Sequence, residues 1–217
     1  MSATSIRILV ESTPRRVFAS ALDWPGWSRS GTTEAAAIDA LLAAAPRYAM
    51  VAAAAGHPLP KGDLSLVVAE RAPGNATTEF GAPAIVADAD REPADAAGSA
   101  RLASLVAAAW AELDRIAAAA PEELRKGPRG GGRDRTKVVE HVRGADEGYA
   151  TVLGLGAAER KSVDGLRTRV LAILREPSDG SPVAGKKWPP RYAARRIAWH
   201  ALDHAWEIED RTDPRAE

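Results

Sequence analysis

The chain has 217 residues, in which 29 lysines and arginines balance 29 aspartates and glutamates. This neutral balance gives no electrostatic reason to expect nucleic acid as a partner. The absence of cysteine excludes disulfide bonds, thiolate zinc sites, iron–sulfur clusters and a cysteine nucleophile, so histidine and carboxylate remain as metal ligands. We recognise no signal peptide and no apolar segment long enough to cross a membrane, and we expect a soluble cytoplasmic protein.

The N-terminal part, residues 1–71, is predicted to form strands around one helix. Apolar and polar residues alternate over residues 6–10 and again over 17–21, a period typical of half-buried strands. A turn at residues 23–27 leads to a short third strand, and residues 64–69 are predicted to form a fourth.

A long helix is predicted between the third and fourth strands. Either Thr32 or Thr33 caps its N-terminus, and it runs to about Ala55, before a glycine and a proline. The predicted order of elements is therefore β-β-β-α-β.

This order resembles the HicB-like antitoxin fold over residues 4–70. Two short motifs carry the resemblance, Asp23-Trp-Pro-Gly-Trp27 and Gly31-Thr-Thr-Glu-Ala35. The resemblance implies a module that mediates protein interaction, and no DNA-binding segment follows it. A small α+β module for dimerisation or packing stays open as an alternative.

Residues 72–97 are rich in proline, glycine, alanine and aspartate and are predicted to be a linker. Beyond them the apolar period becomes helical, which predicts an all-α four-helix bundle over residues 98–217. The helices are expected from Ser99 to Pro121, from near Asp134, from a Ser162 cap to before Pro177, and over the last segment, which contains Arg195–Arg211.

Three of the four histidines lie on the predicted inward faces of two of these helices. His200 and His204 are four residues apart, which stacks both imidazoles on one side of a helix. His141 shares a stripe with Val138 and Tyr149 on the second helix. Three inward histidines can form a three-ligand metal site with open coordination positions. Buried histidines that are bonded to backbone or carboxylate groups are the alternative.

An inward histidine on the second helix and His-x-x-x-His on the last resemble the DinB-like superfamily, which includes mycothiol- and bacillithiol-dependent transferases. The matching motifs are His141-Val-Arg-Gly-Ala-Asp146 and the pair His200 and His204. The resemblance implies that these three histidines bind a divalent metal ion (Zn, Ni, Fe or Mn), with water or substrate completing the shell. Many members continue with glycine-glutamine where this chain has Trp206-Glu-Ile-Glu-Asp-Arg211, so the substrate and reaction do not follow from the resemblance.

Two further features bear on this site. Glu207 lies one turn after His204 and is a candidate to orient a ligand or act as a general base; an exposed glutamate that pairs with Arg211 is the alternative. A basic cluster precedes the second helix and would attract an anionic thiol or phosphate, or be a solvated loop. It comprises Arg125, Lys126, Arg129, Arg133, Arg135 and Lys137.

The sequence therefore predicts a metal-dependent hydrolase or thiol S-transferase that acts on a small-molecule substrate or a low-molecular-weight thiol. The alternative is a non-catalytic binding or regulatory protein in which any metal ion is structural. Trp199, Leu202 and Trp206 form a second apolar face on the last helix, which would meet the N-terminal module or a second subunit. Packing within the helical domain itself is the alternative. A homodimer thus stays open.

Overall fold

The structure, a computed structural model, describes residues 4–126, 132–160 and 162–212. Within these ranges the chain is an α+β protein, with a four-stranded mixed sheet followed by helices. The strands are β1 (Thr4–Ser12), β2 (Val17–Ala21), β3 (Ser28–Gly31) and β4 (Leu64–Pro73), in the order β3-β2-β1-β4. β1 pairs antiparallel with β2 and parallel with β4, so the chain must return beside β1 through a helical connection.

That connection consists of two helices, α1 (Glu34–Ala43) and α2 (Ala45–Ala54), which bend by 50° where they meet. The prediction of one long helix is wrong because Pro46 lies in the first turn of α2. Proline has no N–H to donate, and its ring clashes with the carbonyl four residues earlier in a continuous helix. Thr33 is confirmed as the cap of α1, since its hydroxyl accepts a hydrogen bond from the Ala36 amide at 3.1 Å.

No single helix among the described residues is long and apolar enough to cross a membrane. The bent pair α1 and α2 reaches the necessary length and composition only when the two helices are counted together. Here α1 and α2 hold the turn that precedes β3. The Trp27 indole donates to the Leu41 carbonyl at 2.8 Å, and the Tyr48 hydroxyl donates to the Pro25 carbonyl at 2.9 Å. The turn is thereby fixed to both helices.

Both faces of the sheet are covered. β2 is buried at every position, so the half-buried pattern predicted for it is wrong. One face packs on α1 and α2. On the other face Leu9 packs on Ala87, while Phe18 packs on Ala82 and edge-to-face on Trp199, with ring centroids 6.0 Å apart. This second cover comes from distant parts of the chain, which the alternation along β2 does not reveal.

Residues 72–97, predicted to be a linker, lie along that second face. They contain a short helix, α3 (Ala76–Phe80), and a 3-10 turn at Asp88–Arg91. The fully buried Glu11 carboxyl of β1 accepts hydrogen bonds from the Thr78 hydroxyl (2.8 Å), the Ala84 amide (2.8 Å) and the Ile85 amide (3.1 Å). Because a buried carboxyl without partners costs free energy, these bonds both satisfy Glu11 and fix the segment on the sheet. The division of the chain into domains at these residues stays a prediction.

The described residues beyond 95 contain four long helices in a bundle-like arrangement: α4 (Ala96–Ala119), α5 (Arg135–Val152), α6 (Val163–Arg175) and α7 (Pro190–Thr212). The predicted starts near Asp134 and Ser162 are confirmed, and the Ser162 hydroxyl accepts a hydrogen bond from the Gly165 amide at 3.1 Å. α4 begins before the predicted Ser99, because Asp95 caps it. Both α6 and α7 pack against α4 and α5.

A buried ion pair joins α7 to the segment on the sheet. Arg195 donates from Nε to Asp90 Oδ1 at 2.8 Å and from Nη2 to Asp90 Oδ2 at 2.5 Å. The exposed fraction of these side chains is 6% for Arg195 and 1% for Asp90. The Ala87 amide also donates to Asp90 Oδ2, at 2.8 Å. The pair therefore has both charges compensated inside the protein.

We expect Arg195→Met to lower the free energy of unfolding by about 3–5 kcal/mol, because it leaves the Asp90 charge buried and unpaired. The double variant Arg195→Met/Asp90→Leu should recover most of that loss. Urea unfolding followed by circular dichroism measures both. Arg71→Met, which breaks an exposed ion pair with Glu34, is the matched control and should change little. A double variant no more stable than Arg195→Met would contradict the argument.

A buried carboxyl group lies between α4, α5 and α6. Asp146 of α5 is 3% exposed, and neither of its carboxyl oxygens has a hydrogen-bond partner among the described residues. The Trp110 indole lies beside it without reaching hydrogen-bond geometry. Burial raises the pKa of Asp146 to about 7, and the positive charge of Arg167 acts in the opposite direction. The protonated carboxyl is therefore favoured in the folded protein.

Asp146→Asn should stabilise the protein relative to the natural chain as the pH rises from about 4 to 8. The folded pKa, about 7, lies above the usual 3.8, so the folded state holds the proton more tightly and loses stability as the pH rises through this window. Asparagine cannot ionise and escapes this loss, which is up to about 4 kcal/mol. Melting temperatures of both proteins across this range test it; a difference that does not change with pH would contradict it.

Candidate metal centre

Helices α5 and α7 bring three histidine side chains together. His200 and His204 project from successive turns of α7, and His141 faces them from α5. One ring nitrogen from each histidine lies within 4.8 Å of the other two. The ring centroids are 4.7 Å apart for His200 and His204, 4.9 Å for His141 and His204, and 5.1 Å for His141 and His200. This group could hold a metal ion.

The two apolar faces of α7 explain why its histidines are held inside. Ile197, Ala201 and Ile208 are buried on the histidine side, as the helical period predicts. On the opposite side Trp199 packs on Phe18 of the sheet. The second apolar face thus meets the N-terminal module, one of the two partners predicted for it.

The turn before β3 makes a close contact with this second face of α7. Gly26 has a φ of +95°, a conformation that L side chains rarely adopt. A Cβ atom at this position would lie 2.8 Å from Leu202 Cδ1 and 3.1 Å from Ala198 Cβ. The turn therefore needs glycine both for its backbone conformation and for the approach of α7.

Glu207 orients His204. The His204 Nδ1 and Glu207 Oε2 atoms are 2.7 Å apart, and the hydrogen bond with His204 lowers the pKa of Glu207. An ionised carboxylate can only accept, so Nδ1–H donates and Nε2 of His204 is left as the possible metal ligand. Arg211 Nη1 donates to the other oxygen, Oε1, at 3.0 Å. Glu207 therefore pairs with Arg211, as the alternative has it, but it is half-buried and not exposed, and it also contacts His204. Its role toward a metal ligand stays a prediction.

Arg211 extends this chain of contacts to the start of α5. It donates from Nε to the Arg125 carbonyl and from Nη1 to the Arg133 carbonyl, both at 2.7 Å. Arg125 and Arg133 belong to the predicted basic cluster, as does Arg135, which pairs with Glu122. Arg129 lies outside the described residues. The bonds from Arg211 use the main-chain carbonyls of Arg125 and Arg133, so they anchor this part of the backbone to α7.

His200 and His141 are held in the neutral state. Burial, together with the neighbouring His204 and His141, lowers the pKa of His200 to about 2. Burial and His204 also lower the pKa of His141. Neutral imidazole is the form that binds metal ions. His200 Nδ1 is buried without a hydrogen-bond partner among the described residues. The protein alone therefore leaves a ring nitrogen of this cluster unsatisfied, and the three imidazoles fit a cation. His57 is half-buried after α2, outside this cluster.

An aromatic row continues from the histidines, and sequence reasoning assigned it no role. The Tyr149 ring lies 5.8 Å from the His200 ring and 5.3 Å from the Trp188 ring, and Trp188 lies 5.1 Å from Tyr192. Arg196 was also missed; it is four residues before His200 and therefore on the same side of α7. That spacing was the available signal.

No protein-family model, curated protein or solved structure matches this chain. The resemblances to the DinB-like superfamily and to the HicB-like fold therefore rest on the sequence motifs. What the structure adds is the arrangement of the histidines and of the groups around them.

We expect Glu207→Ala to weaken the binding of a divalent metal ion about 10–100-fold, because the carboxylate orients His204 and increases its basicity. Competition with a chromophoric zinc chelator measures the affinity. Glu209→Ala is the matched control, since Glu209 lies on the same helix but pairs with Arg47. Equal affinities for the Glu207 and Glu209 variants would show that the contact is not functional.

Proposed function

We propose that His141, His200 and His204 bind one divalent metal ion, as the resemblance to the DinB-like superfamily implies. The observation that carries the proposal is the convergence of three imidazoles from two helices within 4.8 Å. Among the four candidate metals, imidazole ligands suit zinc, nickel and iron better than manganese. Three protein ligands would leave room in the shell for water or substrate.

The function that this site supports best is that of a metal-dependent hydrolase or thiol S-transferase with a small-molecule substrate. A bound divalent ion would supply Lewis acidity, which suits hydrolysis or transfer onto a thiol. Glu207 holds His204 in one tautomer and orientation. Both carboxylate oxygens of Glu207 already accept hydrogen bonds, one from His204 and one from Arg211. We therefore assign it a positioning role and not that of a general base.

The burial of His200, which is 6% exposed, favours a second candidate function. A structural ion in a closed core would make this a non-catalytic binding or regulatory protein, in which the HicB-like module mediates protein interaction. A structural ion contributes directly to folding, so its removal by a chelator would unfold the bundle. A catalytic ion should be removable with a small loss of stability.

Elemental analysis of the purified protein tests the metal centre. We expect about one divalent ion per chain, and loss of stoichiometric metal in His200→Ala and in His204→Ala, because each change removes one of three ligands. His57→Ala should keep the metal, since His57 lies outside the cluster. Metal retained at full stoichiometry in the double variant His141→Ala/His204→Ala would refute the site. Circular dichroism of each variant distinguishes loss of a ligand from loss of the fold.

A further inference from the structure

Arg196 is a half-buried cation beside the three histidines. In the part of the chain that the structure describes, no carboxylate lies within ion-pair distance of its guanidinium, whereas the adjacent Arg195 is fully paired. Arg196 Nη1 donates to the Pro83 carbonyl at 3.1 Å. Arginine has five N–H donors, so this bond leaves most of the donor capacity of Arg196 for another acceptor.

Arg196 and His200 lie against the same two aromatic rings. The guanidinium carbon of Arg196 is 4.9 Å from the Trp199 ring centroid and 5.7 Å from that of Tyr149. The His200 ring centroid is 5.9 Å from Trp199 and 5.8 Å from Tyr149. A ligand of a few bonds could therefore reach both groups.

Tyr149 adds a neutral donor at the same place. The Tyr149 ring centroid is 5.7 Å from the Arg196 guanidinium carbon and 5.8 Å from the His200 ring centroid. A tyrosine hydroxyl carries one O–H donor, so Tyr149 can donate to an acceptor at this place. On its other side Tyr149 contacts Trp188, which offers an apolar surface to the body of a ligand.

The charges around the histidines favour an anion. Arg196 lies against the same two rings as His200, and a bound divalent ion would add to its positive charge. Asp203, a carboxylate near His204, is paired with Arg29. The carboxylate of Glu207 is already bonded to His204 and Arg211. The planar guanidinium of arginine matches a carboxylate by two parallel hydrogen bonds.

We propose that Arg196, with Tyr149, binds the carboxylate of a small ligand whose other end reaches the three-histidine centre. The substrate class of the proposed enzyme is then a small carboxylic acid, or a thiol that carries a carboxylate. This inference rests on the proposed metal centre, because the histidines define the second point of attachment.

The test compares two thiols of equal chain length, 3-mercaptopropionate and 3-mercapto-1-propanol, on the cobalt-substituted protein. The charge-transfer absorption of a cobalt–thiolate bond reports binding of each. We expect the natural chain to bind the carboxylate thiol about tenfold more tightly, as one charge-assisted pair provides. Arg196→Gln should abolish this preference, and Tyr149→Phe should reduce it.

Arg143→Gln is the matched control, because Arg143 is an exposed arginine on α5, and it should keep the preference. Equal affinity of the natural chain for both thiols overturns the carboxylate site, as does a preference that survives Arg196→Gln. If Arg196 has only a structural role, Arg196→Gln weakens the binding of both thiols equally and leaves the ratio of their affinities unchanged. That result also overturns the carboxylate site. In each case the cobalt spectrum shows that the metal centre stands.

If the natural chain binds no cobalt, the proposed function fails and this inference with it. Should Arg196→Gln not fold, Arg196→Lys serves in its place, since it keeps the charge but loses the bidentate geometry.

Discussion

The position of α7 depends on the ion pair between Arg195 and Asp90. These residues are 105 positions apart in the chain, and both side chains are almost completely buried. Removal of two charges from water costs several kcal/mol per ion, and the bidentate geometry together with the bond from the Ala87 amide offsets this cost. Our interpretation is that the pair contributes less to net stability than to the selection of one arrangement, because any shift of α7 would leave both charges unpaired.

α7 then presents different chemistry on its two sides. Toward the bundle it carries His200 and His204, and toward the sheet it carries Trp199, which packs on Phe18. Arg196 lies over the Trp199 ring and bonds to the segment on the sheet. The candidate site is therefore built by both halves of the chain. The bundle supplies the histidines, and the N-terminal part supplies contacts to the opposite side of the same helix.

The features that could be predicted from the sequence are those set by nearby residues. Capping by Thr33 and Ser162 depends on an amide three residues away, and the phase of the histidines depends only on the helical period. Pro46 indicates the break between α1 and α2, but the alanines before and after it continue the helical pattern and favour one long helix. The partners of Glu11 and Arg195 could not be predicted, because they are backbone amides and an aspartate in a segment whose composition indicates a linker.

The Trp-Pro-Gly-Trp motif before β3 contains Gly26, which limits how closely α7 can approach the sheet. Gly26 lies against Leu202, and Leu202 stands between the two histidines of α7. The helix can thus approach the sheet no more closely than the backbone of that turn allows. A residue with a Cβ atom at position 26 would have to displace Leu202, or α7 with it, so this turn limits the approach of the helix that carries His200 and His204.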